Sequence, residues 1–218
     1  MNRLHITLGF LAVAFISTAC TGTPTLEEEP SAEFAGLNKV SGSGFREAWA
    51  RPDAGLARYK FIQISDLLSA NAEIQQPSSS KRIRKDWELT PARQQALTRG
   101  WRDAMIAAAG KYGINTAGNG EKVLRVDAEI TRIAPSADLE QTEKASGPNT
   151  VYTEDSGEAS IEIRLYDQAG NKLLGVVRDR RRIGPRMWGL ASTVNASANM
   201  RNLLNTWSNQ LLLRITGN

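Results

Sequence analysis

The chain has 218 residues, 41% of them hydrophobic, with one cysteine, one histidine and a formal net charge of +4. That length supports one domain with a real core, and so mild a positive charge argues against a nucleic-acid partner while remaining compatible with anionic lipid or polysaccharide. A single cysteine excludes an intrachain disulfide, and because His5 and Cys20 both fall in the first 20 residues, loss of the one with a signal peptide and acylation of the other would leave no histidine-based triad, Cys–His dyad or structural zinc site; no cofactor or metal is expected.

Met1-Asn2-Arg3-Leu4-His5 is a short positive head, residues 6–16 are mostly apolar, and Ser17-Thr18-Ala19-Cys20 closes the run with small residues. This is the pattern of a lipoprotein signal peptide, in which the cysteine thiol is acylated and becomes the new N-terminus. The run is shorter than the roughly 20 apolar residues that span a bilayer. Ser17 stands where the usual cleavage box has leucine. The alternative is therefore an ordinary signal cut after Ala19 that leaves a free thiol, an odd outcome for an exported chain. Residues 1–19 are expected to be removed, with His5 among them, and Cys20 to carry palmitate-type chains. Thr21, rather than aspartate, follows the cysteine, which implies the outer membrane of a two-membrane host, facing the periplasm.

Residues 20–44 read as the lipidated N-terminus and a flexible tether. They hold Glu27-Glu28-Glu29-Pro30 and Ser41-Gly42-Ser43-Gly44, and show no apolar period. Such a linker has an end-to-end distance of roughly 25 Å and would stand the domain off the membrane. A single extracytoplasmic domain is expected over 45–218.

Within it, residues 59–65 read as a strand, rich in aromatic and β-branched side chains, and residues 72–86 as a loop containing Lys81, Arg82, Arg84 and Lys85. Thr90-Pro91 is a helix start, and Leu97, Trp101, Ala104, Met105 and Ala108 recur at helical spacing, which predicts a helix over 91–110. Leu124, Val126, Ala128 and Ile130 alternate with Arg125, Asp127, Glu129 and Thr131, the pattern of a strand with one wet face. A polar loop over 135–156 follows. Ala159, Ile161, Ile163 and Leu165 alternate in the same way, a turn over 167–171 carries Gly170, and residues 172–182 return as a strand. A last helix is predicted over 192–215, with Met200, Leu203, Leu204, Trp207, Leu211 and Ile215 on one face. The order β-α-β-β-β-α, each element with one apolar side, predicts an α+β two-layer sandwich: a mostly antiparallel four-stranded sheet with two helices on one face.

The segments Ser43-Gly44-Phe45, 57–64 (ARYKFIQI), 123–131 (VLRVDAEIT), 158–167 (EASIEIRLYD), the Gly170 turn, 177–181 (VRDRR) and Trp207 together resemble the bacterial lipoprotein family of unknown function DUF3313. The likeness spans most of the mature chain. It implies an envelope lipoprotein and brings no activity with it. The layout is also similar in fold to auxiliary lipoproteins of envelope lipid-transport systems.

Three surfaces could carry function. Asp127 and Glu129, i and i+2 on a strand, share a face at roughly 7 Å, a spacing that would suit acid–base glycan hydrolysis; pairing with Arg164 or Arg125 on a solvated sheet face is the competing account. Arg178, Arg180, Arg181, Arg182 and Arg186 form the densest cationic run, a surface for an anionic lipid, a glycan or an envelope protein. Met187-Trp188-Gly189-Leu190 is an apolar contact candidate or core. The leading expectation is a non-enzymatic binding or assembly module anchored at Cys20. The alternatives are a lipid-transport accessory with an apolar cleft between helices and sheet, and, behind both, a carboxylate-dependent glycan hydrolase.

Overall fold

A computed structural model describes residues 23–76, 87–116, 122–136, 152–153, 156–184, 189–190 and 193–217. Among them lie β1 (Thr25–Pro30), β2 (Asn38–Ser41), β3 (Glu47–Ala50), β4 (Phe61–Ile64), β5 (Glu73–Ile74), α1 (Pro91–Tyr112), β6 (Val123–Pro135), β7 (Tyr152–Thr153), β8 (Gly157–Asp167), β9 (Lys172–Arg182), β10 (Gly189–Leu190) and α2 (Thr193–Thr216). The class is α+β, as the alternation implied, but the sheet is larger and mixed. Eight strands run in the order β1-β2-β3-β9-β8-β6-β4, with β5 also on β6, and β7 pairs separately with β10.

The sequence predicts a mostly antiparallel sheet of four strands; most pairings are antiparallel, but the sheet is mixed and the strand number is corrected. First, β4 lies parallel to β6, Phe61 opposite Val123 and Ile64 opposite Val126. Helix α1 supplies the long crossover that a parallel pair requires. Second, β1, β2 and β3 extend the sheet beyond β9, Glu47 opposite Arg178 and Ala50 opposite Gly175.

Two strands thus fall inside the stretch read as a tether, and the ordered structure begins well before residue 45. Leu37 is fully buried and Phe34 nearly so, in a small cluster with Val176 that Trp49 and Leu173 flank. The Phe34 and Trp49 rings meet edge to face at 5.0 Å. An edge strand such as β1 has almost no buried side, so it lacks the alternation by which strands are read.

Helix α1 starts as its sequence dictates. The Thr90 hydroxyl accepts from the Arg93 N–H, and Pro91 takes a first-turn position where a missing N–H costs nothing. Gly113, at φ 67°, caps the other end with its N–H on the Ala109 and Gly110 carbonyls.

One face of β6 and β8 supplies Leu124, Val126, Ile130, Ile161 and Ile163 to the core, against Trp101 and Met105 of α1 and Leu204, Trp207 and Leu211 of α2. Burying each such aliphatic side chain is worth about 1.5–3 kcal/mol. The helices approach closely at Gly100, where a Cβ would sit 3.0 Å from Leu204 Cδ1. Among the described residues, no helix is long and apolar enough to cross a membrane.

Candidate functional site

The C-terminal half of β9 carries the arginine run, and strand alternation divides it. Arg178 lies opposite Glu162, whereas Asp179 lies opposite the core residue Ile161. Arg178, Arg180 and Arg182 therefore belong to the open face of the sheet, and Asp179 and Arg181 to the helix face. The run is not one patch.

On the open face, Arg178 donates from Nε to Glu162 at 2.6 Å, and its two terminal nitrogens hold both oxygens of Glu33. Its guanidinium also lies over the Phe34 and Trp49 rings, at 5.1 and 5.5 Å. This bonding holds the Glu33 carboxyl below its usual range, the Arg178 hydrogen bond being the largest cause, and pushes the Arg178 pKa further up. Glu162, only 8% exposed, also accepts from Arg164 Nε at 2.7 Å. Arg180 pairs with Glu158, and Arg182 is exposed. Arg186, Met187, Trp188 and the run Lys81, Arg82, Arg84 and Lys85 lie outside the described residues, as do Cys20 and most of the 135–156 loop.

On the helix face, Asp179 is a buried carboxylate with three donors. It accepts from Trp207 Nε1 at 2.9 Å, Arg181 Nε at 2.5 Å and the Arg46 backbone N–H at 3.2 Å. Arg181 reaches on to Gln210 Oε1 at 2.6 Å and to the Gly44 carbonyl at 3.2 Å. Gln210 Nε2 and Arg214 Nε both donate to the Ser43 carbonyl, at 3.2 and 2.9 Å. Gly44 sits at φ +79°, a left-handed conformation that favours glycine, and a Cβ there would fall 2.1 Å from Gln210 Nε2 and displace that amide.

A buried charge is tolerated when it is paired and its lone pairs are filled, and Asp179 meets both conditions. The knot ties three parts of the chain together: the glycine turn before β3, the end of β9 and the C-terminal half of α2. Sequence reasoning missed Ser43, Gly44, Asp179, Gln210 and Arg214 as a group. The available signal was Asp179 itself, which sits where the inward register of β9, running through Val177, calls for an apolar residue.

Asp127 and Glu129 both belong to the open face. Asp127 accepts from Ser65 Oγ at 2.5 Å and from Arg125 Nε at 3.1 Å, and Arg125 stacks over Tyr166 at 4.3 Å. Glu129 lies opposite Glu162 in the β6–β8 ladder. Asp127 is thus engaged by Arg125, one of the two partners expected for it, while Arg164 goes to Glu162 instead. The lipid-transport alternative called for an apolar cleft between helices and sheet; the described residues there, Trp101, Met105, Leu204 and Trp207, are closed core.

The family model described as "Protein of unknown function (DUF3313)" matches residues 31–211. No curated protein matches this chain. Among solved structures, the PelC dodecamer from Paraburkholderia phytofirmans is similar at 10% identity and a TM-score of 0.37, over 73% of this chain and 89% of that one. A Xanthomonas campestris protein of family DUF330 is similar at 10% identity and a TM-score of 0.41, over 77% of this chain and 91% of that one.

Proposed function

We propose that this chain, which belongs to the DUF3313 family of proteins of unknown function, is a cell-envelope lipoprotein acylated at Cys20 and serves as a binding or assembly module rather than an enzyme. The observation that carries the reading is the N-terminal sequence: a positive head, the apolar run 6–16, then Ser17-Thr18-Ala19 and the chain's one cysteine. Acyl chains buried in lipid at about 0.8 kcal/mol per CH₂ make a stable anchor when two or more are present. Thr21 favours the periplasmic side of the outer membrane.

The non-enzymatic half of the proposal rests on how the charged side chains are used. Asp127, Glu158, Glu162 and Asp179 are each bound to an arginine, and Asp127 and Asp179 to further donors. Carboxylates committed in this way hold a fold and are poorly placed to transfer protons to a substrate. The expected partners are the membrane that receives the anchor and an envelope protein, an anionic lipid or a glycan met by the exposed surface.

Cys20→Ser tests the anchor in cells. The variant is expected to leave the membrane fraction or to remain unprocessed, because acylation needs the thiol. Maturation and membrane fractionation like the parent chain would overturn the reading. Crosslinking in living cells then identifies what the domain touches.

A further inference from the structure

If Cys20 is the anchor, the fold fixes which end of the domain meets the bilayer. Cys20 precedes Thr25, the first residue of β1, by five residues, which span at most about 18 Å when fully extended. From Thr25 onward there is no slack. Asn38 Nδ2 donates to the Glu27 carbonyl at 2.8 Å, Ser41 Oγ to Glu27 Oε1 at 2.7 Å and the Ser31 N–H to the Leu37 carbonyl at 2.7 Å. Glu33 is held by Arg178, and the turn at Ser43 by Gln210 and Arg214. The segment that leads from the anchor is built into the sheet, and the roughly 25 Å stand-off of a flexible tether does not apply.

The strand register then orients the body. Thr25 lies opposite Ser41, Ser41 leads into the turn before Glu47, Glu47 lies opposite Arg178, and Glu158 lies opposite Arg182. Thr25, Ser41 and Glu47 thus lie near the level of Arg178, roughly 13 Å short of Arg182 along β9, and β1 runs away from the Arg182 end, so the chain before Thr25 leads toward that end. The β8–β9 turn, after Asp167 and before Lys172, is at the other. β9 has 11 residues, so at about 3.3 Å per residue the two ends are roughly 33 Å apart. Arg46 and Arg182 are exposed in the Arg182 half of the sheet, against the exposed carboxylate of Glu47, while Arg180 is paired with Glu158. Glu28 and Glu29 lie about 10–13 Å further up the edge strand. Exposed cations therefore lie at the end the anchor reaches, where a surface of anionic headgroups attracts them within about a Debye length.

From the length of chain between anchor and sheet and the charge at the anchored end, we infer that the domain rests end-on against the lipid surface. The turn over 42–46 and the end of β9 face the headgroups, and the β8–β9 turn points away. The inference depends on acylation at Cys20, and its occupant is the bilayer that holds the anchor.

The test uses the full lipidated chain with one added thiol, Ser41→Cys or Glu47→Cys near the anchored end and Gln168→Cys at the far turn, each labelled with a fluorophore. All three positions are exposed. The proteins are placed on vesicles of phosphatidylethanolamine and phosphatidylglycerol carrying a nitroxide on the headgroup. Quenching at positions 41 and 47 is expected to exceed that at 168 at least threefold. Equal quenching at all three positions, as a loose tether would give, or stronger quenching at 168 overturns the inference while leaving the anchor intact. Failure of the unlabelled chain to sediment with vesicles, together with labelling of Cys20 itself, overturns the anchor reading and the inference with it.

Discussion

Arg181→Ala is the sharpest perturbation of the packing described here. Arg181 looks like one more member of a surface arginine run, yet its Nε lies 2.5 Å from Asp179, whose side chain is only 6% exposed. Removing one partner of a buried pair costs about 3–5 kcal/mol, because the other charge stays buried and uncompensated. Arg181 is itself 29% exposed, and Asp179 keeps Trp207 Nε1 and the Arg46 N–H, which brings that part down to about 2–3 kcal/mol. Loss of the bonds to Gln210 and the Gly44 carbonyl adds about 1 kcal/mol, for an expected total of about 3–4 kcal/mol. Urea unfolding of a soluble form beginning at Thr23, followed by tryptophan fluorescence, measures it. With a slope of about 1–3 kcal/mol per M, the midpoint should fall by roughly 1–3 M. Arg180→Ala is the comparator. Its pair with Glu158 is 39% and 29% exposed, and such pairs are worth about 0–1 kcal/mol. If Arg181→Ala costs no more than Arg180→Ala, the buried-knot reasoning is wrong. Replacing the pair as Asp179→Leu with Arg181→Met should recover much of the loss.

Trp207→Ala should cost about 3–5 kcal/mol, since the ring is fully buried and also donates to Asp179; a near-neutral midpoint in the same titration would contradict the packing of α2. Gly44→Ala should cost about 2–3 kcal/mol, from a left-handed backbone and displacement of the Gln210 amide, and an unchanged midpoint would remove Gly44 from the knot. At the far end, Tyr59 OH donates to Asp167 Oδ2 at 2.8 Å, which holds that carboxyl below its usual range, while burial pushes the Tyr59 phenol up. A depressed carboxyl contributes stability above its unfolded pKa, about 3.9, and loses it as pH falls through the folded value. Tyr59→Phe should therefore flatten part of the stability loss below about pH 4, and identical acid limbs in the two proteins would contradict the assignment.

What could be read in advance follows from burial. β6 and β8 are centre strands with one face in the core, so Leu124, Val126 and Ile130 alternate cleanly with Arg125, Asp127 and Glu129. Thr90-Pro91 begins a helix by local chemistry alone. β1 had no such signal, because an edge strand buries too little for a period, β2 is only four residues long, and Phe34 and Leu37 pack on Trp49 of β3 and on Val176 of β9, the latter more than 130 residues away. The parallel pairing of β4 and β6 was implicit in a strand, a helix and a strand in succession, since such a crossover favours parallel neighbours. The division of the arginine run was hidden by charge type. Arg178, Arg180 and Arg181 look alike in sequence, and only the position of Asp179 opposite Ile161 separates the face toward solvent from the face toward Trp207.

Acylation at Cys20 is what would join this sheet to a membrane, and the intact mass of the chain purified from cell membranes reads it out. The mature protein is expected to start at Cys20 and to carry the added mass of its acyl chains, lost when Cys20 is replaced by serine. A mass that retains residues 1–19, or that begins at Cys20 with an unmodified thiol, would contradict it.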